Sequence, residues 1–291
     1  MIHRFLLHNG HIRGSAEPCL FPGQLGLLAG WGVFTTLRVT DGVLFAWDRH
    51  WARLSRDAAL MNVPMPPDSE ALHRDLLRLV DANAKPDCTL RLVIIRNSGG
   101  LWEGPAQPLA YDVVAMTADR HDWGDSVRLG IQRQARHAAS QFAGTKINSW
   151  AMNLTWSENA HRRGLDEVVL LNERDEVAEL TSANLFVANG SDVWTPPLSS
   201  GCLPGITREL LLSEVQAPGY RVTERTLNLG DLFNAGEVFI TSTTRDLLSV
   251  AEIDGRVLSR KGQAMTALKT AFRSYIDAYV KHHARDGAVA L

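Results

Sequence analysis

Cysteine is scarce in this chain of 291 residues: Cys19, Cys88 and Cys202 form no Cys-x-x-Cys pair and leave an odd count. That excludes a disulfide framework and a zinc ribbon as the organising principle and points to a reducing compartment. An excess of one charge is missing too. Thirty Lys+Arg stand against 32 Asp+Glu, for a formal net charge of -2, and the arginines are spread along the chain rather than clustered. A nucleic-acid partner is therefore not expected, since such domains gather a basic excess. No apolar run reaches membrane-spanning length, so no membrane partner is expected either. The apolar stretch near Met1–Asn9 is too short for a signal peptide and reads as a first strand entering an Asn9-Gly10 turn, which makes the cytoplasm the expected location. None of the ten histidines is spaced like a helix-borne metal pair, so no metal site is expected.

Lysine is the other scarcity, and it is informative. There are five: Lys85 in a Lys-Pro turn, Lys261 after an arginine in a polar turn, Lys269 and Lys281 on an amphipathic C-terminal stretch, and Lys146 in Gly144-Thr145-Lys146-Ile147-Asn148. An amine that forms a Schiff base must be neutral part of the time, away from carboxylates and partly desolvated, and Lys146 fits that best. Two segments follow it. Glu179-Leu180-Thr181-Ser182-Ala183-Asn184-Leu185-Phe186 supplies an acid, Glu179, suited to a pyridine nitrogen. Leu203-Pro204-Gly205-Ile206-Thr207-Arg208 reads as a tight turn opening a helix, whose free N–H groups favour a phosphate, with Thr207 adding a hydroxyl. In that order the three pieces point to a pyridoxal 5'-phosphate site. Singly each has a plainer reading: a solvated lysine, a charge on a half-exposed edge strand, and a turn that only caps its helix.

Composition is that of an ordinary globular protein, 45% hydrophobic and 21% charged, and the length favours two domains. Two apolar runs, Trp31 to Val39 and Val43 to Trp47, flank Thr40-Asp41-Gly42 and predict a hairpin. A helix capped by Asp48 should follow, with Trp51, Leu54, Ala58 and Met61 inward, then a second from Asp68 with Leu72, Leu76, Leu79 and Val80 inward. Core strands are expected at Thr89–Ile95 and Leu109–Thr117, giving an α+β first domain over 1–118. The aperiodic stretch 119–125 reads as a linker, its Trp123 placed to cover a site. Closely spaced strands at 127–132, 167–171, 177–180, 185–187 and 193–195, with helices at 150–163, near Arg208 and at 264–280, predict a barrel-like second domain over 126–291. Trp102, in a Gly-rich loop, lines either a substrate pocket or a contact between subunits.

From about Trp31 to Val250 the chain resembles the class IV aminotransferases, the fold-type IV enzymes that include branched-chain and D-amino acid aminotransferases and aminodeoxychorismate lyase. The resemblance implies a small α/β domain and a larger pseudobarrel domain, cofactor between them, and a homodimer. It places the Schiff-base role on Lys146 and the ring-nitrogen role on Glu179. It assigns the phosphate to the backbone and side chain at Ile206 and Thr207. His50-Trp51-Ala52-Arg53-Leu54 looks like the family's His-x-x-Arg-Leu, which makes Arg53 a phosphate clamp, and Phe239–Thr244 resembles a strand end whose threonine, here Thr243, touches phosphate.

The implied activity is amino transfer between an amino acid, of branched-chain type, and a 2-oxo acid. The alternatives are an aminodeoxychorismate lyase releasing pyruvate, and a non-catalytic cofactor-binding protein on the same fold. Departures bear on the choice. A tyrosine usual in branched-chain enzymes five residues after the lysine is replaced by Ala151, with Trp150 before it. The string Val33-Phe34-Thr35-Thr36-Leu37-Arg38-Val39, together with Arg96-Asn97-Ser98-Gly99-Gly100, looks more like the lyase, whereas Ile206-Thr207-Arg208 is closer to the transaminases. Arg38, Arg91 and Arg96 are candidates for the substrate carboxylate, left unranked.

Overall fold

The computed structural model describes residues 1–100, 108–258 and 262–287. Trp102, singled out above, lies outside the described residues. The chain forms two compact units, 1–121 with 146–150 and 276–291, and 122–145 with 151–275. This division differs from a single cut at 119–125 in two places. The segment Lys146–Trp150 counts with the first unit because it is stitched by backbone bonds to a strand there, and the end of the C-terminal helix counts with it as well.

In the first unit, β1 (Ile2–His8), β2 (His11–Gly14), α1 (Leu25–Leu28), β3 (Gly32–Thr40), β4 (Val43–Leu44), α2 (Trp47–Leu60), α3 (Ser69–Ala82), β5 (Cys88–Arg96) and β6 (Tyr111–Ala118) follow in order. The strands make a six-stranded antiparallel sheet, β2-β1-β6-β5-β3-β4. The expected hairpin forms: Asp41 and Gly42 both take positive φ, 49° and 76°, the geometry that matches strand twist in a two-residue turn. Helices α2 and α3 cover one face of the sheet. Leu37, Leu76, Leu79, Leu90 and Leu92 are fully buried there, and each contributes about 1.5–3 kcal/mol by leaving water.

The inward residues of α3 are those its periodicity predicts, and Asp68 caps it by accepting from the N–H groups of Glu70 and Ala71. Asp48 does not cap α2. Ala46, left-handed at φ 56°, occupies the cap position without a side-chain bond, and Asp48 sits in the first turn instead.

The second unit contains β7 (Ser126–Arg136), α4 (Ala151–Arg162), β8 (Glu167–Asn172), β9 (Val177–Leu180), β10 (Asn184–Asn189), β11 (Asp192–Thr195), α5 (Ile206–Ser213), β12 (Arg221–Glu224), α6 (Leu229–Phe233), β13 (Glu237–Ser242), β14 (Asp246–Ile253) and β15 (Arg256–Val257), and α7 (Gln263–Gly287) begins in it. Its nine strands run β12-β11-β10-β13-β14-β7-β8-β9, with β15 on β14, in a curled half-barrel. Three pairings are parallel, β11 with β12, β14 with β7 and β7 with β8. Both predicted classes hold: the fold is α+β and its second sheet is barrel-like. No described helix is long and apolar enough to cross a membrane.

Candidate active site

Helix α2 buries polar residues that its apolar pattern did not announce. His50, Arg53 and Asp57 fall three and four residues apart, on one face, and are 0%, 7% and 1% exposed. Each is paid for by a partner. Arg53 Nη2 donates to Thr35 Oγ1 at 3.0 Å, and Thr35 Oγ1 lies 2.7 Å from His50 Nδ1. A guanidinium only donates, so the threonine hydroxyl accepts from Arg53 and shares a second hydrogen bond with His50 Nδ1. Burial first, then the Arg53 and Lys146 charges, hold this imidazole well below its usual 6.5.

The unfolded chain therefore takes up a proton near pH 6.5 that the native state refuses. Stability is expected to fall as pH drops below that value, by up to about 1.4 kcal/mol per pH unit until the native imidazole titrates. A His50→Asn variant should lose this component, which urea melts of both proteins between pH 7 and pH 5 would show as a flatter dependence.

Asp57 accepts the backbone N–H of Lys146 on Oδ2 at 3.0 Å, and Arg56 Nε bonds its other oxygen at 3.0 Å. The lysine segment lies along β3: Phe34 N–H donates to the Lys146 carbonyl at 3.1 Å, Ile147 bridges Val33, and Asn148 N–H reaches the Gly32 carbonyl at 2.9 Å. Glycine is required at 32, because a Cβ there would meet Asn148 Nδ2 at 2.3 Å and the Ile94 carbonyl at 2.4 Å. Lys146 is thus fixed by its backbone at both ends.

Its Nζ lies 4.6 Å from the centre of the Phe34 ring, and the Arg91 guanidinium lies 4.7 Å from the same ring. Trp150 meets that ring edge-on at 6.0 Å. Of the three arginines weighed for a carboxylate, Arg91 therefore shares an aromatic neighbour with the lysine. Arg96 instead stacks on Trp31 and donates to the Ser98 and Asn62 carbonyls.

In the second unit Glu179 stands on β9, a strand with all four residues buried rather than half-exposed. Its Oε1 accepts from Arg136 Nε at 2.8 Å, and its Oε2 from the Leu203 N–H at 3.0 Å. Arg136, at the end of β7, also donates to Asn153 Oδ1 at 3.2 Å. Leu203 opens the turn before α5, and its carbonyl accepts from Asn184 Nδ2 at 2.9 Å. A Cβ on Gly205 would meet Asn184 Oδ1 at 2.0 Å, so only glycine lets that amide pin the turn.

Helix α5 then starts without any side-chain cap, and its first intrahelical bond runs from Glu209 N–H to the Gly205 carbonyl at 2.8 Å. The N–H groups of Ile206, Thr207 and Arg208 precede that bond, a ready anion cradle at the positive end of the helix dipole. Arg208 itself turns away, donating to the Pro196 carbonyl at 2.7 Å and pairing with Glu224. Thr241 on β13 is buried with its hydroxyl unpartnered among the described residues, while Thr243 sits partly exposed in the following turn. The Cys202 thiol, near Glu179, is pushed up to about 12 by burial and by that carboxylate, so it is no nucleophile at neutral pH.

Several of these residues were not singled out by sequence. Asp57 had a signal, since it extends the spacing of His50 and Arg53 on one helix face. Arg136 had none: it meets Glu179 across 43 residues of chain, and only strand pairing makes them neighbours.

The model of the amino-transferase class IV family matches residues 32–253. A Methanocaldococcus jannaschii protein, whose name gives branched-chain-amino-acid aminotransferase as a provisional assignment, is 31% identical over 255 residues, 85% of this chain and 88% of its own length. A bifunctional aminodeoxychorismate lyase and D-amino acid transaminase of Mycobacterium tuberculosis is 28% identical over 290 residues, 94% of this chain and 97% of its own. Among solved structures, a hypothetical aminotransferase of Mycobacterium tuberculosis in its pyridoxal phosphate-bound form superposes with a TM-score of 0.83 at 25% identity, covering 94% of this chain and 98% of its own. The chain belongs to the class IV aminotransferase family.

Proposed function

We propose that the protein is a pyridoxal 5'-phosphate-dependent aminotransferase that moves an amino group between an amino acid, of branched-chain type, and a 2-oxo acid. Class IV aminotransferases use this cofactor. The observation that carries the reading is the setting of Lys146: an amine whose backbone is fixed at both ends and whose Nζ rests on the Phe34 ring, with a guanidinium on that same ring. The M. jannaschii relative supports the donor class.

The residues present fit the cofactor. An uncapped helix start with a glycine-dependent turn suits its phosphate, with Ile206 and Thr207 contributing backbone and hydroxyl and with Arg53 and Thr243 as further holders. Glu179, set between Arg136 and the Leu203 N–H, suits its ring nitrogen. When bound, the cofactor supplies an electron sink that acidifies the donor Cα–H.

The protein's own part is to hold and move protons and to orient. Lys146 Nζ would hold the cofactor at rest and, once displaced by the incoming donor amine, would be the free base that takes the proton from the donor Cα. The Arg91 guanidinium fork receives the donor α-carboxylate, and the Phe34 ring keeps water from the amine. The same reading carries a cytoplasmic homodimer acting on small amino and oxo acids.

A second reading, elimination of pyruvate from aminodeoxychorismate, is supported by the bifunctional relative. The two separate in one experiment. The purified, cofactor-loaded protein is mixed with L-leucine, L-glutamate or D-alanine, and its visible absorption band is followed. Loss of the band with L-leucine, regained on adding a 2-oxo acid, is the expected result. No change with any amine, together with pyruvate release from aminodeoxychorismate in the absence of an acceptor, would establish the lyase instead.

A further inference from the structure

The second unit contains another buried carboxylate that the proposed chemistry does not use. Glu167, the first residue of β8, is 2% exposed, and its partner Arg245 has a side chain 7% exposed. Glu167 Oε1 accepts from the Val168 N–H at 3.0 Å, from the Thr181 N–H at 3.3 Å and from the Thr181 hydroxyl. Its Oε2 accepts from Ser182 Oγ at 2.7 Å and lies 3.7 Å from Arg245 Nη2. Arg245 in turn donates through Nη1 to Ser182 Oγ at 2.9 Å and to the Ser182 carbonyl at 3.3 Å, while the Trp123 ring covers its guanidinium at 3.8 Å.

These contacts join two turns that are far apart in sequence. One follows Glu179 directly and includes Thr181 and Ser182. The other connects β13 to β14 and holds Thr243 between Ser242, whose Oγ accepts the Arg245 N–H at 3.1 Å, and the left-handed Asp246 at φ 56°. A further thread leads back to Glu179: Asn153 donates to the Thr181 carbonyl at 3.1 Å and accepts from Arg136, the partner of Glu179. We propose that Glu167 is a positioning residue which, with Arg245, sets the spacing between Glu179 and the Thr243 turn and so tunes the hold on the cofactor. The inference rests on the cofactor reading above.

The energetics favour registration over bulk stability. A buried ion pair seldom adds net stability over an apolar pair of the same volume, because desolvation offsets the attraction. What an apolar pair does not supply is the directional ties from one carboxylate to the backbone and hydroxyl of Thr181 and to Ser182, and from Arg245 to that same Ser182. Those ties fix relative position, which is what two ligand-holding turns need.

The test uses the full-length apo-protein as wild type, Glu167→Gln, Arg245→Met, the double variant and Thr181→Val. Melting temperature is measured beside the dissociation constant for pyridoxal phosphate and the 31P shift of the bound phosphate, on protein shown folded by near-UV circular dichroism. The single charge variants should melt early, and the double should recover because no buried charge is left unpaired. Affinity should not recover: the double is expected to bind about tenfold more weakly with a displaced 31P signal, and Thr181→Val, with both charges in place, should weaken binding in the same direction. Wild-type affinity and an unmoved 31P signal in the folded double variant, or in Thr181→Val should the double not fold, would overturn the proposal. Failure of the wild type to take up pyridoxal phosphate would instead sink the cofactor reading beneath it.

Discussion

Replacing Lys146 with alanine is expected to lower turnover by at least roughly 10²–10⁴-fold, the contribution of a positioned proton-transfer group, while leaving the apo-protein nearly as stable as the wild type. The two halves of that expectation come from different parts of the residue. The amine does the chemistry proposed for it, and no other lysine lies in the segment that β3 holds, so no neighbouring lysine replaces it. The backbone does the folding: the bonds from Lys146 N–H to Asp57 and from Phe34 N–H to the Lys146 carbonyl survive any side-chain change. What alanine loses is a half-buried cation–π contact, worth about 0.5–1 kcal/mol.

Three measurements check this: turnover with L-leucine and a 2-oxo acid, the visible band after adding pyridoxal phosphate, and the melting temperature of the apo form. A variant that turned over at the wild-type rate would remove Lys146 from the chemistry. One that lost activity only by melting at the assay temperature would leave the role unsupported, and the assay is therefore run well below the transition.

How much of this was legible beforehand differs by kind of interaction. Helix α3 was readable almost to the residue because its signals are local: an aspartate followed by amides within hydrogen-bonding reach, and leucines at helical spacing. The β3–β4 hairpin was readable for the same reason, since Asp41-Gly42 adopts the two positive φ values its turn demands. The start of α2 differs from its sequence signal because Asp48 has a capping side chain but the wrong position; the chain turns two residues earlier, at Ala46. The face of α2 was half-read, since an apolar template does not reward His50, Arg53 or Asp57 for being buried, and only Thr35 and the Lys146 backbone explain why they are.

Glu179 shows the same limit. Alternation along 176–179 looks half-exposed, but the residues that cover the strand come from 136 and 203, which no local pattern connects to it. The same holds for the Glu167 hub, whose partners lie 14, 15 and 78 positions away along the chain. Local signals predict elements, whereas the chemistry depends on who faces whom across strands.

That dependence makes Glu179→Gln the other large expected effect. Glutamine keeps the shape and can still accept the Leu203 N–H, but it puts an amide where a carboxylate faced Arg136 Nε. The pair is little exposed, 18% and 11% for the two side chains, so the uncompensated guanidinium should cost stability, about 1–3 kcal/mol given that one hydrogen bond survives. The larger loss is expected in the rate of the donor half-reaction, on the order of 10²–10³-fold, the usual cost of removing one preorganised electrostatic group from a reacting centre.

Arg136→Met separates the two effects. It leaves the carboxylate in place without its counter-charge, so it should destabilise about as much as Glu179→Gln and slow the reaction far less. Single-turnover kinetics with L-leucine on cofactor-loaded protein, set beside urea melts, reads both axes. If the two variants lost rate in equal proportion, Glu179 would be acting only as the partner that holds Arg136 and the Leu203 turn in place, and the group facing the ring nitrogen would have to be sought elsewhere in the second unit.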